Sequence, residues 1–150
     1  MREELEQELH ELAPTFLKDM GGDPMETCMA FGCECEDGWF SILERLCTEV
    51  EKLNNNMAQA KFICQQIKSK FGELRVYWAI EPVENRTMYE DEYKQMTELV
   101  NKAEQEALNT CEFCGKTPAR MDHRIVLCDD CSGRDIEEDT KIWKESKRWR

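Results

Sequence analysis

Leu74-Arg75-Val76-Tyr77-Trp78-Ala79-Ile80 is the stretch on which the fold class turns. It is rich in β-branched and aromatic residues and alternates in polarity, the pattern of a strand with one buried face. Leu74, Val76, Trp78 and Ile80 are expected on one side, Arg75 and Tyr77 on the other. Most of the remaining chain reads as helix. Residues 2–18 place Leu5, Leu9, Leu12 and Phe16 at helical spacing, and Pro14 interrupts the pattern. Gly21, Gly22 and Pro24 mark a loop. Residues 27–38, with three cysteines and two glycines, read as a packed irregular turn. Trp39 opens an amphipathic helix whose stripe is Trp39, Ile42, Leu43, Leu46, Val50 and Leu53, with Asp37 placed to cap it. Asn54-Asn55-Asn56 ends that helix. Met57, Ala60, Cys64, Ile67 and Phe71 are spaced for a further helix that stops at Gly72. A long helix is predicted over Met88–Leu108, burying Tyr89, Tyr93, Met96, Leu99, Val100, Ala103 and Ala107.

The expected fold class is therefore α+β: a mostly helical body with a small antiparallel sheet and a C-terminal zinc ribbon. Residues 1–110 form the acidic body with one strong strand at 74–80. Residues 111–131 form the ribbon, and 132–150 a charged C-terminal helix or tail. Trp39, Leu43, Leu46, Phe71, Val76 and Trp78 are assigned to the core.

The ribbon rests on Cys111-Glu112-Phe113-Cys114-Gly115 and Cys128-Asp129-Asp130-Cys131. Two residues between paired thiolates let a tight turn aim both sulfurs at one ion, and the second pair completes a tetrahedron. Gly115 stands where a positive φ helps such a turn. Cys111, Cys114, Cys128 and Cys131 are thus the candidate ligands of one zinc ion. Four thiolates close the coordination sphere and leave no place for a reactive water, so the site reads as structural. His123, between the pairs, reads as an exposed loop residue. Lys116, Arg120, His123 and Arg124 give the tip of the segment a mild positive character, opposed by Asp122.

Charge bears on partners. The chain carries −12, all of it in residues 1–110, while residues 111–150 balance. An acidic surface repels phosphate backbones and disfavours nucleic acid as a partner. No run approaches the length of a membrane span, and the acidic, polar start lacks the apolar core of a secretory signal. A reducing cytoplasm is expected, so the nine cysteines are better read as ligands or buried thiols than as disulfides. Cys28, Cys33 and Cys35 form a tight trio, either a second metal site or a structural thiol cluster. Cys47 and Cys64 fall on apolar stripes. His10 and His123 are the two histidines, and neither is set beside a nucleophile by spacing; nor is there a phosphate-binding glycine loop or an HExxH motif. No catalytic residue is assigned and an enzyme is not expected.

Several pieces together carry a resemblance: Thr27-Cys28-Met29, Gly32-Cys33-Glu34-Cys35, Asp37-Gly38-Trp39-Phe40, Leu43 and Leu46-Cys47, Lys70-Phe71-Gly72-Glu73-Leu74-Arg75-Val76-Tyr77, and the two cysteine pairs. Over about residues 25–131 the chain resembles a group of small proteins encoded by bacteriophages and prophages. Glu36 and Val76 depart mildly from that group's pattern, where glycine and an aromatic are usual. The resemblance implies a viral origin and a host-cytoplasm setting, and it implies no activity. The expected function is a non-catalytic zinc-binding protein that binds a host protein, with interference in a bacterial defence system as one version. The tail residues Lys141, Trp143, Lys144, Lys147, Arg148, Trp149 and Arg150 mix cations with aromatics and are a candidate partner contact. Two other readings stay open: a zinc-ribbon nucleic-acid-binding regulator, and a pocket protein that sequesters a phosphorylated signal through Arg75, Tyr77, Lys68 or Lys70. Self-association stays open as well.

Overall fold

Three α-helices and a three-stranded sheet share one core, and a second, two-stranded hairpin follows. The computed structural model describes residues 1–132 of the chain. The elements are α1 (Glu3–Leu12), β1 (Cys33–Glu34), α2 (Phe40–Asn56), β2 (Lys61–Lys70), β3 (Glu73–Glu81), α3 (Glu90–Ala107), β4 (Arg120–Asp122) and β5 (Ile125–Leu127). Short 3-10 turns occupy Cys28–Phe31, Asp37–Trp39 and Val83–Tyr89. The α+β class is as expected, and β3 falls where the alternating stretch placed it.

The largest correction concerns Met57–Phe71. This segment is not a helix: Lys61–Lys70 forms β2, antiparallel to β3. Four of the five residues spaced for a helix face are buried all the same: Met57, Ala60, Cys64 and Ile67. The reason is a bulge. The register shifts between Cys64 and Gln66, so Cys64 pairs with Trp78 while Ile67 pairs with Val76. In a regular strand, residues three apart point to opposite faces; one extra residue returns them to the same face. The bulge thus reproduces the spacing of a helical stripe. Phe71 and Gly72 join the strands as a two-residue turn, with φ of 54° and 75°. Both central residues in the left-handed region mark the tight hairpin connection whose twist matches the strands. Gly72 therefore turns a hairpin; it does not end a helix. Phe71, assigned to the core, sits at that turn and is 60% exposed. The body thus has a hairpin and a short third strand in place of one lone strand.

The third strand, β1, runs parallel to β2, pairing Cys33 with Ile67 and Glu34 with Lys68. Beyond β1 the Cys64 amide donates to the carbonyl of Phe16, so the segment after α1 continues that edge. The core joins Leu9, Phe16, Leu17 and Met29 with the α2 stripe, with Phe62, Ile67, Leu74, Val76 and Ile80 of the sheet, and with Met96, Val100 and Ala103 of α3. Trp78 is partly buried, edge-on to Phe62 and 4.9 Å from the Tyr93 ring centre.

Buried polar side chains tie the loops to this core through hydrogen bonds, as burial requires. Asn54 exchanges two hydrogen bonds with the backbone of Phe62, at 2.9 and 2.7 Å. The Glu51 carboxylate accepts from the amides of Thr15 and Phe16. The Glu6 carboxylate accepts from Cys33 N. Asp37 does not cap α2; its carboxylate accepts instead from the backbone amide and guanidinium of Arg2, on α1's leading edge.

Candidate metal centre

The four sulfurs expected to converge do so. The ligand atoms of Cys111, Cys114, Cys128 and Cys131 all lie within 4.8 Å of one another. The sulfurs of Cys114 and Cys128 lie 3.5 Å apart. A tetrahedron of Zn–S bonds of about 2.3 Å has edges of roughly 3.8 Å, so the donor set has the dimensions of a four-thiolate ion site. Cys111, Cys128 and Cys131 are buried and Cys114 is exposed.

Local backbone geometry builds this arrangement. Gly115 N bonds to Cys111 O at 2.9 Å, and Cys111 N bonds to Lys116 O at 2.9 Å, closing the first turn. Gly115 has φ 75°, the left-handed conformation anticipated for it. In the second turn the amides of Cys131 and Ser132 both bond to Cys128 O. The Glu112 amide donates to Val126 O, which locks the first turn to β5. Burial raises the Cys111 thiol pKa, but backbone hydrogen bonds from Cys128, Cys114 and Phe113 outweigh it and bring the thiol down to about 7. Those amides hold the thiolate form, the form that binds metal.

The centre is joined to the body by a set of contacts that the cysteine spacing does not announce. Gly38 N donates to Glu112 O at 2.7 Å. The Trp39 indole donates to Thr110 O at 2.9 Å, from a fully buried side chain. The Glu112 carboxylate accepts from Ser69 Oγ at 2.9 Å and from Glu36 N at 3.4 Å. Burial pushes the Glu112 pKa up to about 7, with the Ser69 hydrogen bond pulling the other way. Asp37-Gly38-Trp39 is therefore the seat of the cysteine turn. A Cβ on Gly38 would lie 2.2 Å from Cys111 O and 2.5 Å from Glu112 O, both of them backbone atoms. Gly38→Ala must then separate the turn from the body, and overpacking of this kind costs about 1–3 kcal/mol or more. Chemical denaturation should show that loss, along with weakened metal retention; unchanged values for both would contradict the docking.

The other nominated residues fall differently. Cys33 and Cys35 are buried while Cys28 is exposed, and among the described residues the trio forms no convergent ligand group. The thiols of Cys33, Cys35, Cys47 and Cys64 are all raised by burial, which suits packing more than ligation or nucleophilic chemistry. His123 is 97% exposed at the β4–β5 turn, as a loop residue should be. Lys116 and Arg120, two of the tip cations, pair with Asp130 and Asp129 at 2.7 Å each, which removes much of the tip's positive character. The tail residues Lys141, Trp143, Lys144, Lys147, Arg148, Trp149 and Arg150 lie outside the described residues. Among the described residues no helix is long and apolar enough to cross a membrane. No protein-family model, curated protein or solved structure matches the chain.

Proposed function

We propose that the chain is a non-catalytic, zinc-stabilised binding protein, made by a phage, that occupies a host protein in the host cytoplasm. Obstruction of a bacterial defence system is the version that a small, acidic, host-directed protein fits best. The observation that carries this reading is the convergence of four cysteine sulfurs into one closed donor set. Zinc suits four thiolates in tetrahedral array, whereas harder ions prefer oxygen ligands. When bound, zinc supplies folding free energy and no reactive position, because every coordination site is taken by sulfur. What remains for function is surface. The acidic body offers long-range attraction to a basic patch on a partner, which speeds encounter and sets orientation more than it adds affinity.

Native mass spectrometry of the full chain, purified from cells grown with zinc, tests the reading. One zinc per chain and no small ligand is the expected result. Iron in the same site would overturn the metal assignment, since tetrahedral sulfur also accepts iron. A retained nucleotide would transfer the function to sequestration of a phosphorylated signal. Affinity purification from host lysate should then return one stoichiometric protein partner, and its consistent absence would remove the host-protein reading.

A further inference from the structure

The sheet has a second face, turned away from the core. Gln66, Lys68 and Lys70 of β2 stand on it opposite Tyr77, Arg75 and Glu73 of β3. At its end lie the exposed Phe71 and, from the β4–β5 turn, Arg124. Two large aromatics are thus displayed to solvent, with Tyr77 43% exposed. Each has a cation against its ring. Lys68 Nζ is 5.3 Å from the Tyr77 ring centre. Lys70 Nζ and Arg124 Cζ are 5.8 and 5.4 Å from that of Phe71. None of these three cations takes part in the ion pairs of the described residues, in contrast to Arg75, which bonds to Glu73. A chain of charge −12 therefore keeps three cations free of close ion pairs together, interleaved with exposed rings, with Glu34 of β1 beside Lys68 as the neighbouring carboxylate.

We propose that this face binds a short single strand of nucleic acid. Bases stack on Tyr77 and Phe71, and the phosphates between them meet Lys68, Lys70 and Arg124. Aromatic platforms flanked by cations are the physical means by which proteins hold unpaired strands, since every base has a π face and every linkage a charge. From Tyr77 to Glu73 the strand rises about 14 Å, which separates the two rings enough for bases on either side of an intervening nucleotide. The charge of the remaining body selects a single strand over a duplex. A second strand would bring its phosphates over the acidic surface, where they are repelled. Arg124 comes from the cysteine-bearing hairpin, so the sheet and that hairpin build the face together. This inference does not depend on the host-protein reading.

The test uses the full, zinc-loaded chain and a fluorescein-labelled oligo-dT of about a dozen nucleotides, read by anisotropy across a salt series. Binding at low salt is expected, with log K falling against log salt at a slope of about −2 for three phosphates. Phe71→Ala and Tyr77→Ala should each weaken binding about tenfold. Both side chains are exposed, so the melting temperature should hardly move and the loss cannot be laid to unfolding. Lys68→Gln with Lys70→Gln should reduce the slope to about −0.7. No binding at low salt would overturn the proposal. So would binding that survives both aromatic substitutions, which places the site elsewhere in the chain. Equal competition by polyglutamate would also overturn it, because the face would then be a docking site for an acidic protein.

Discussion

Removal of the metal should destabilise the whole described structure, not the cysteine hairpin alone. Structural zinc sites carry about 10–16 kcal/mol of apparent binding free energy at neutral pH, and that energy counts as folding energy where no site exists in the unfolded chain. Cys111→Ser or a strong chelator should therefore cost several kcal/mol. At roughly 2–4 °C per kcal/mol for a chain of this size, the melting temperature falls by more than about 10 °C. The sequence on its own suggests that the hairpin would be lost and the helical body kept. The contacts of Gly38, Trp39, Ser69 and Glu36 with residues 110–112 argue for shared loss. Circular dichroism in the near ultraviolet distinguishes the two. A cooperative loss of the aromatic signal supports one folding unit. An unchanged aromatic signal with a lost metal would show that the body stands alone.

Trp39→Ala should be the most damaging substitution in the body. The side chain is fully buried between α2 and the chain leading into the metal centre, and its indole satisfies Thr110 O. Large-to-small replacement of a buried aromatic costs about 3–5 kcal/mol. Trp39→Phe separates the two contributions. It keeps most of the packing and leaves Thr110 O without its donor, which costs about 1–3 kcal/mol. Both variants should release metal to a competing chelator more readily than the parent chain. Metal retention equal to the parent's, despite lower stability, would mean that Trp39 packs the body without seating the cysteine turn.

The cysteine motif was fully legible because its chemistry is local. Two short turns aim two pairs of sulfurs, and spacing alone reveals such turns. Gly115 was legible for the same reason, since its positive φ serves the turn it belongs to. Cys28, Cys33 and Cys35 show the opposite case. Adjacent numbers placed them together, yet β1 and the turns around it bury two and expose one. No spacing rule states how consecutive side chains divide between interior and solvent in irregular backbone. Gly38, Ser69, Thr110 and Glu112 were not nominated, because each matters through a partner 40 or more positions away. The Asp-Gly-Trp piece did stand out in the sequence, but as a helix cap and a stripe residue, not as the seat of the cysteine turn.

The sequence by itself determined the α+β class, the α2 and α3 stripes, the β3 strand and the four cysteines whose sulfurs converge. Each is written in a period or spacing that its own residues enforce, whatever else the chain does. Tertiary structure alone decided the character of residues 61–70, where a bulge lets strand residues copy the spacing of a helix face. It moved Phe71 from the core to an exposed turn beside Arg124, and it tied the cysteine turn to Gly38 and Trp39. In each case the outcome was set by a pairing partner distant in the chain. Hydrogen-bond register and close packing depend on what arrives opposite, and one-dimensional periodicity does not contain that information.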